Sequence, residues 1–594
     1  QEYTWNLESI YATDDAWEED FRTVSTALPE IQKRQGTLAG SPQALFEALD
    51  QRDKVGEVLG RLYVYAHMRQ HEDAAVSRYQ ALADRVTTLA SELSAAAAFF
   101  TPEILAIPAE KLAQFVREEP RLAVYQHAFD EINRQRPHVL TPEIESLLAQ
   151  AGEMASASER IFEIFNAADL KFAHVHDEEG NEAELTQGNY VPAFLQSQHQ
   201  PVRKEAFEAM LGAYDGFRNT LATTYASHIK RDIFFARAHK YADSLHAALE
   251  PDNIPVSVYD NLVSTVRANL GPLNRYLTLR KKLMGLRELH MYDLYVPIVK
   301  EAEDKVTYAS AQETVAQALA PLGADYVAAV RNGLASRWVD VLENKGKRPG
   351  AYSWGTYGTN PFILLNYQEK MESMFTLAHE MGHSMHSYHT RQSQPYPYAD
   401  YTLFVAEVAS TLNEALMTDY LLRTETDRAK RMYVLNHALE EYRGTLFRQT
   451  LFAEFEREAH EKAEAGEALT PELLCDRYKQ LVTAYYGAEC TVDDLIEIEW
   501  ARIPHFYNSF YVYQYATGIS ASSALARGIL DEGEPARQRY IRFLSAGSSD
   551  YSINLLKDAG VDLSTPEPVQ RAITTFGRYL DQFEALLSED GAHA

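Results

Sequence analysis

Apolar side chains recur at spacings of three and four over residues 371–388. The stripe consists of Met374, Phe375, Ala378, Met381 and Met385. This period predicts an amphipathic helix, and no proline interrupts it before Pro395. A second helix is predicted over residues 401–422, where hydrophobic residues occupy all but a few positions.

Helix signals dominate the rest of the chain as well. Thr-Pro-Glu begins at Thr101, Thr141 and Thr470, and each copy predicts an N-cap followed by a first-turn proline and acid. Strand signals are few. Residues 170–185 predict a hairpin around a polar turn, and residues 352–357 with 362–365 predict a small β-sheet just before the first helix described above.

Composition narrows the class of protein. The net charge of −29 argues against nucleic acid as a partner, because a phosphate polymer would be repelled. No run of eighteen apolar residues and no signal-peptide pattern is evident, so we expect no membrane partner. Two cysteines in 594 residues favour a reducing, cytoplasmic location.

The predicted helix over 371–388 contains His379-Glu380-Met381-Gly382-His383. Histidines four apart lie on one helical face, where they can share one zinc ion. Glu380 is then the general base on a zinc-bound water. A third ligand is needed, and Glu407 is the candidate, because an acid inside an apolar helix is costly to bury without a partner.

Three further polar residues lie near these candidates. Glu414 is on the same face as Glu407 and either orients a ligand histidine or forms an ordinary surface ion pair. His386 and His389 follow the motif, and we interpret them as second-shell or surface groups.

The predicted strand at 352–357 could bind an extended peptide as an added strand. The residues expected to bind substrate there are Gly350, Tyr352, Gly355 and Tyr357; the alternative is an ordinary small sheet.

These motifs resemble the thimet oligopeptidase family of zinc metallopeptidases, and within it the oligoendopeptidase F branch. The similarity covers nearly the whole chain. Its motifs run from Tyr3-Thr4-Trp5-Asn6-Leu7 through Pro361-Phe362-Ile363-Leu364-Leu365 and Ile503-Pro504-His505-Phe506-Tyr507 to Leu556-Lys557-Asp558-Ala559-Gly560-Val561-Asp562. It implies a mainly α, multi-lobed helical metallopeptidase with a deep substrate channel and a small β-sheet beside the zinc helix. We expect an N-terminal helical lobe over 1–200, including the hairpin, and a catalytic lobe over 201–594.

The resemblance also implies that a histidine and tyrosines oppose the zinc helix. His505 matches by its position at the head of its segment, and Tyr511 and Tyr515 are chosen over Tyr513 because they share a helical face. The predicted function is a zinc-dependent endopeptidase with one zinc ion per chain, acting on internal bonds of short unstructured peptides. The alternatives are a related zinc carboxypeptidase or dipeptidase, or an inactive peptide-binding scaffold.

Overall fold

A computed structural model describes residues 3–299 and 305–588 of the chain, and its architecture is mainly helical. The helices are α1 (Asp14–Gln32), α2 (Pro42–Glu72), α3 (Ser77–Ala97), α4 (Phe100–Ala106), α5 (Ala109–Glu118), α6 (Gln126–Gln135), α7 (Pro142–Ala155), α8 (Ala157–Ile164), α9 (Gln187–Asn189), α10 (Gln200–Asp215), α11 (Arg218–Ala238), α12 (Ser244–Leu249), α13 (Val256–Ala268), α14 (Gly271–Leu283), α15 (Tyr308–Ala318), α16 (Ala324–Ala335), α17 (Met371–Ser393), α18 (Leu403–Thr424), α19 (Arg428–Tyr442), α20 (Arg448–Glu464), α21 (Pro471–Tyr486), α22 (Tyr513–Glu532), α23 (Glu534–Leu544), α24 (Ser552–Ala559) and α25 (Glu567–Ser588). The strands are β1 (His174–His176), β2 (Glu182–Glu184), β3 (Val339–Asp340), β4 (Tyr352–Trp354) and β5 (Phe362–Leu364). The prediction of a mainly α fold with little sheet is confirmed.

The chain divides into two compact units, each assembled from three segments of sequence. Unit 1 comprises Gln1–Pro137, Glu303–Arg423 and Leu525–Val561, and unit 2 comprises His138–Ala302, Thr424–Ala524 and Asp562–Ala594. The predicted lobes over 1–200 and 201–594 are a division into consecutive segments and stay a prediction. The compact units divide the chain at other points, because contacts join segments far apart in sequence.

Unit 1 contains a three-stranded sheet in the order β3-β5-β4. β3 runs parallel to β5, and β4 runs antiparallel to it with Ser353 opposite Ile363. β4 and β5 confirm the predicted strand region, whereas β3 has only two residues and carries no periodic signal. Every residue of β5 is buried, which makes it the central strand, and β4 forms one edge.

The two helices predicted around the candidate metal ligands are confirmed as α17 and α18. α17 continues past the predicted end to Ser393 and stops before Gln394-Pro395, since a residue preceding proline disfavours helical backbone. α18 is apolar on nearly all sides and carries a long run of buried residues, as expected of a core helix.

Unit 2 contains the predicted hairpin as the antiparallel pair β1 and β2, with Val175 opposite Ala183. Two of the three Thr-Pro-Glu predictions also hold, since Thr141 and Thr470 are the N-caps of α7 and α21. In unit 1, Thr101 is not an N-cap, because α4 begins one residue earlier at Phe100. Burial of Phe100 in the unit 1 core outweighs the local capping preference there.

Within residues 3–299 and 305–588, no individual helix is both long and apolar enough to cross a bilayer. Ser77–Ala106 and Ala109–Glu118, bent by 105° where they meet, are long and apolar enough only as a pair, judged by length and composition alone.

Candidate active site

α17 packs tightly against α18 at Gly382, inside the His-Glu-x-x-His motif. A Cβ at this position would lie 2.4 Å from the Ala409 carbonyl oxygen and 2.6 Å from the Ser410 Cα. Only glycine therefore allows the two backbones to approach this closely. Asn413 ties the same pair of helices together, because its side-chain amide donates to the Ala378 carbonyl at 3.1 Å.

This close approach brings the three predicted metal ligands to one point. Glu407 Oε2 lies 3.3 Å from His379 Nε2 and 3.4 Å from His383 Nε2. One ligand atom from each of the three residues falls within 4.8 Å of the other two. Two imidazole nitrogens and one carboxylate oxygen are a donor set typical of catalytic zinc, which leaves one coordination position for water or substrate.

Glu414 and Ser410 fix the orientation of these ligands. The Glu414 carboxylate is hydrogen-bonded to His379 Nδ1, which leaves Nε2 to face Glu407. The Ser410 hydroxyl donates to Glu407 Oε2 at 2.8 Å. Glu414 therefore contacts His379, a candidate ligand; carboxylates in this position orient a metal-binding ring and raise its basicity.

Electrostatics at this point favour a cation. Burial disfavours a charge on His379, yet hydrogen bonds with Glu407 and Glu414 hold its pKa well above the usual value for histidine. Burial also opposes the charge on Glu407, and the two histidines outweigh it, so its pKa is lowered. The carboxylates therefore stabilise positive charge at this point. A divalent cation would supply that charge in place of protons on the histidines.

Glu380 lies on α17 beside the ligand histidines and is 7 % exposed. Burial raises the pKa of its carboxyl group; the charges of Glu407 and Glu414 add to this effect, while His379 and His383 oppose it. A raised pKa brings a carboxylate nearer to the range in which it accepts and releases protons at neutral pH.

His386 and His389 are packing residues of unit 1 rather than surface groups. The His386 ring is 1 % exposed and stacks on Tyr401 with centroids 3.6 Å apart. His389 stacks on Tyr326 at 5.8 Å. The surface interpretation of His386 is therefore wrong, because the ring continues the buried face of α17.

In β4, the backbone N–H and C=O of Ser353 point toward the open edge of the sheet. The Ile363 N–H donates to Trp338 on the β3 side at 2.8 Å, so the backbone polar groups of Ile363 point away from β4. Because Ser353 is paired with Ile363, its own N–H and C=O face away from β5, toward the open edge of the sheet. The Ser353 hydroxyl lies 2.7 Å from that of Ser384, the residue after His383, so this edge runs beside α17.

The four predicted substrate-binding residues surround this edge in different ways. Gly350 has φ of +85° and lines a cavity of about 370 Å³ together with Ser373 and Thr376 at the start of α17. A Cβ on Gly355 would lie 2.6 Å from the Asn360 carbonyl oxygen. The Tyr352 hydroxyl instead meets His71 Nδ1 on α2 at 2.7 Å, and the Tyr357 ring packs edge-on against Tyr396. Both tyrosine rings have partners within unit 1 and stay partly exposed, so their role in substrate binding remains a prediction.

His505, Tyr511 and Tyr515 form one cluster within unit 2. The His505 and Tyr511 rings are parallel at 6.2 Å, and the Tyr515 hydroxyl lies 3.4 Å from His505 Nε2. Burial lowers the pKa of His505, which keeps the ring neutral at neutral pH. The shared helical face predicted for the two tyrosines is wrong in detail, because α22 begins only at Tyr513. Tyr513 itself is 1 % exposed and packs on Tyr259.

Sequence reasoning missed four residues that shape the region around the candidate ligands. They are Gly382, Ser410, Asn413 and Ser353. A small residue inside a helical motif and polar residues inside an apolar helix are signals of close helix packing. The direction of the Ser353 backbone N–H and C=O follows from the pairing of β5 with β3, and the sequence does not reveal that pairing.

A helical scaffold carrying a His-Glu-x-x-His helix with a nearby carboxylate defines the class of helical metallopeptidases. Residues 193–575 match the sequence model of Peptidase family M3, and residues 103–172 match that of Oligopeptidase F. The chain belongs to peptidase family M3 and is a metallo-oligopeptidase that hydrolyses peptides.

Individual relatives agree with this assignment. The chain is 51 % identical over 586 residues to Oligopeptidase PepF of Bacillus subtilis, covering 99 % of this chain and 87 % of that protein. It is 40 % identical to Group B oligopeptidase PepB of Streptococcus agalactiae, covering 100 % and 98 %. The crystal structure of oligoendopeptidase-F from Enterococcus faecium superposes with a TM-score of 0.75 at 38 % identity, covering 97 % of this chain and 99 % of that one. A crystal structure of a Chlamydophila abortus protein assigned as a peptidase gives 0.93 at 34 % identity, covering 98 % of both chains.

Proposed function

We propose that this protein is a zinc-dependent endopeptidase that cleaves internal bonds of short, unstructured peptides. The observation that carries the proposal is the convergence of His379, His383 and Glu407 ligand atoms within 4.8 Å, with Glu380 on the helix that carries the two histidines. Membership of peptidase family M3 supports peptide hydrolysis as the reaction. The free, buried cysteines Cys475 and Cys490 support a cytoplasmic location.

The donor set fits one zinc ion. His379 and His383 would supply neutral imidazole nitrogens and Glu407 one carboxylate oxygen, with Glu414 holding the proton on His379 Nδ1. When bound, zinc would polarise the scissile carbonyl and make water more acidic.

The remaining steps belong to side chains and backbone of the protein. Glu380 accepts a proton from the attacking water and passes it to the nitrogen of the leaving amine. The N–H and C=O of Ser353 pair with the main chain of an extended peptide, so affinity depends little on its sequence. His505, Tyr511 and Tyr515 are proposed as donors to the developing oxyanion, and their contacts within unit 2 support a joint role.

A peptide-library digest tests this function directly. The protein is incubated with a mixture of unstructured peptides and, separately, with a stable globular protein, each with and without a chelator, and cut sites are read by mass spectrometry. We expect internal cuts in the peptides, loss of cutting with chelator, recovery on adding zinc, and negligible cutting of the folded protein, because unfolding it costs about 5–15 kcal/mol.

Other outcomes separate the alternatives. Release of single C-terminal residues only would favour a carboxypeptidase, and release of dipeptides only a dipeptidase. Tight peptide binding without cleavage in zinc-loaded protein would favour an inactive scaffold. Rapid degradation of the native globular protein would contradict the restriction to unstructured peptides.

A further inference from the structure

Phe510 adopts a backbone conformation that bulky residues rarely occupy. Its φ is +58°, in the left-handed region, and its side chain is 3 % exposed. Such conformations persist only where the surroundings hold them, and they are enriched at functional sites. Phe510 immediately precedes Tyr511, so its backbone angles set where that tyrosine stands relative to His505.

A buried carboxyl group on α20 holds this conformation. The Phe510 N–H donates to Glu456 Oε1 at 2.8 Å, and Glu456 is 0 % exposed. Burial raises the pKa of Glu456 well above its usual range, against the lowering effect of the Phe510 N–H. The hydrogen bond lies in the core, where it fixes the direction of the Phe510 N–H.

The preceding residue is anchored to a second helix. The Ser509 hydroxyl donates to Asp232 Oδ2 on α11 at 2.5 Å. His460 joins both anchors, since its Nδ1 lies 2.9 Å from the Glu456 carbonyl oxygen and its Nε2 3.2 Å from Asp232 Oδ2. Both ring nitrogens of His460 therefore lie within hydrogen-bond distance of oxygen atoms, the main-chain carbonyl of Glu456 on α20 and the carboxylate of Asp232 on α11.

This arrangement is more elaborate than packing requires. Burial opposes the charge on Asp232, yet its partners, with His460 foremost, hold its pKa at about 2. Well-packed apolar residues generally stabilise a core as well as a buried charge network does. The network instead specifies one conformation for Ser509 and Phe510, the two residues just before Tyr511.

We propose that Glu456 is a positioning residue for peptide hydrolysis: by accepting the Phe510 N–H it holds the segment that places His505, Tyr511 and Tyr515 relative to one another. The inference rests on the proposed role of that cluster in oxyanion stabilisation. Donors to a developing charge must be held closely, because a displacement of about 1 Å can cost on the order of a hundredfold in rate.

Three variants of the full-length, zinc-loaded protein test the role of Glu456. Glu456→Met keeps the volume and removes the acceptor, and we expect kcat on a short peptide to fall by about tenfold to a hundredfold with a smaller change in KM. Glu456→Gln keeps an acceptor oxygen and should recover most of that loss. Glu454→Met is the matched control, because Glu454 lies on the same helix but its carboxylate bonds the Tyr485 hydroxyl at 3.0 Å.

A double-variant cycle separates positioning from general destabilisation. Glu456→Met is combined with whichever of His505→Ala, Tyr511→Phe and Tyr515→Phe lowers kcat most. If Glu456 acts through the cluster, its effect should shrink by several-fold in that background, whereas independent effects multiply. Should Glu456→Met fail to fold, Ser509→Ala, which removes only the hydroxyl bonded to Asp232, replaces it in the cycle.

The outcomes distinguish this inference from the function on which it rests. Wild-type kcat in Glu456→Met, an equal loss in Glu454→Met, or multiplicative effects in the cycle would overturn the positioning role alone. Wild-type kcat in all three cluster variants would overturn it together with the oxyanion role of the cluster. Absence of zinc-dependent hydrolysis in the wild-type protein would overturn the proposed function.

Discussion

The helices α17 and α18 of unit 1 and the 505–515 segment of unit 2 hold their candidate functional side chains by different means. His379, His383 and Glu407 project from two regular helices, and adjoining turns of those helices supply Gly382 and Glu414. His505 and Tyr511 lie outside α22, in backbone held by side chains from α11 and α20. Contacts between two neighbouring helices set the geometry of the candidate ligands, whereas the 505–515 segment depends on side chains from helices far away in sequence.

The largest effect is expected at Glu380. Glu380→Gln should keep the fold and one zinc per chain, since Glu380 is not a proposed ligand, and should lower kcat by about 10²- to 10⁴-fold. Elemental analysis and steady-state kinetics measure the two quantities. Glu313→Gln, at an exposed residue of unit 1 paired with Arg331, is the control and should behave as wild type. Activity within about tenfold of wild type in Glu380→Gln would remove it as the general base.

The second prediction concerns the other region. Tyr511→Phe and Tyr515→Phe each remove one hydroxyl, and loss of an oxyanion donor should lower kcat by about 10²- to 10³-fold with little change in KM. Tyr513→Phe is a matched control, because Tyr513 is buried against Tyr259. Unchanged kinetics in both test variants would move the role to another tyrosine, with Tyr507 the next to test.

A smaller effect is expected at Glu414, whose carboxylate contacts His379. Glu414→Gln weakens the hydrogen bond to His379 Nδ1 but keeps the shape of the side chain at position 414, and zinc affinity should fall by about 10- to 100-fold. Competition with a zinc-binding dye measures this, and kcat at saturating zinc should recover. Glu425→Gln, just beyond α18, is the control. Unaltered zinc affinity in Glu414→Gln would show that the helices alone orient His379.

The smallest effect is expected at the edge strand. Ser353→Pro removes the outward N–H while the β4–β5 hydrogen bonds remain, as proline is tolerated on strand edges. Loss of one backbone hydrogen bond, worth about 0.5–1.5 kcal/mol, should raise KM by about 2- to 12-fold. Ser353→Ala removes the hydroxyl and keeps the N–H, so it separates the two contributions. Equal KM values in the two variants would argue against pairing of the peptide at Ser353.

These two regions also differ in how much of each could be predicted from the sequence. The i, i+4 histidines, their helix and the acid at Glu407 are local patterns, and the structure brings them to one point. The anchors of the other segment are distant, since Ser509 and Asp232 are 277 positions apart. Local periodicity cannot report such a partner, and it wrongly extended a helix to Tyr511. β3 was not predicted for a related reason: it has only two residues, which are too few for a periodic pattern, and they form a strand because they pair with β5.

α17, which carries two of the candidate zinc ligands, is covered by a part of the chain that follows it by more than a hundred residues. Thr390 donates to the Leu544 carbonyl at 2.7 Å, and the His386 ring meets Phe543 at 5.3 Å, both within unit 1. A nascent chain on the ribosome carries all three candidate zinc ligands long before α23 emerges to pack behind them. Long-range contacts of this kind form late and slowly. We therefore expect peptidase activity to appear only after α23 has been synthesised and has packed against α17.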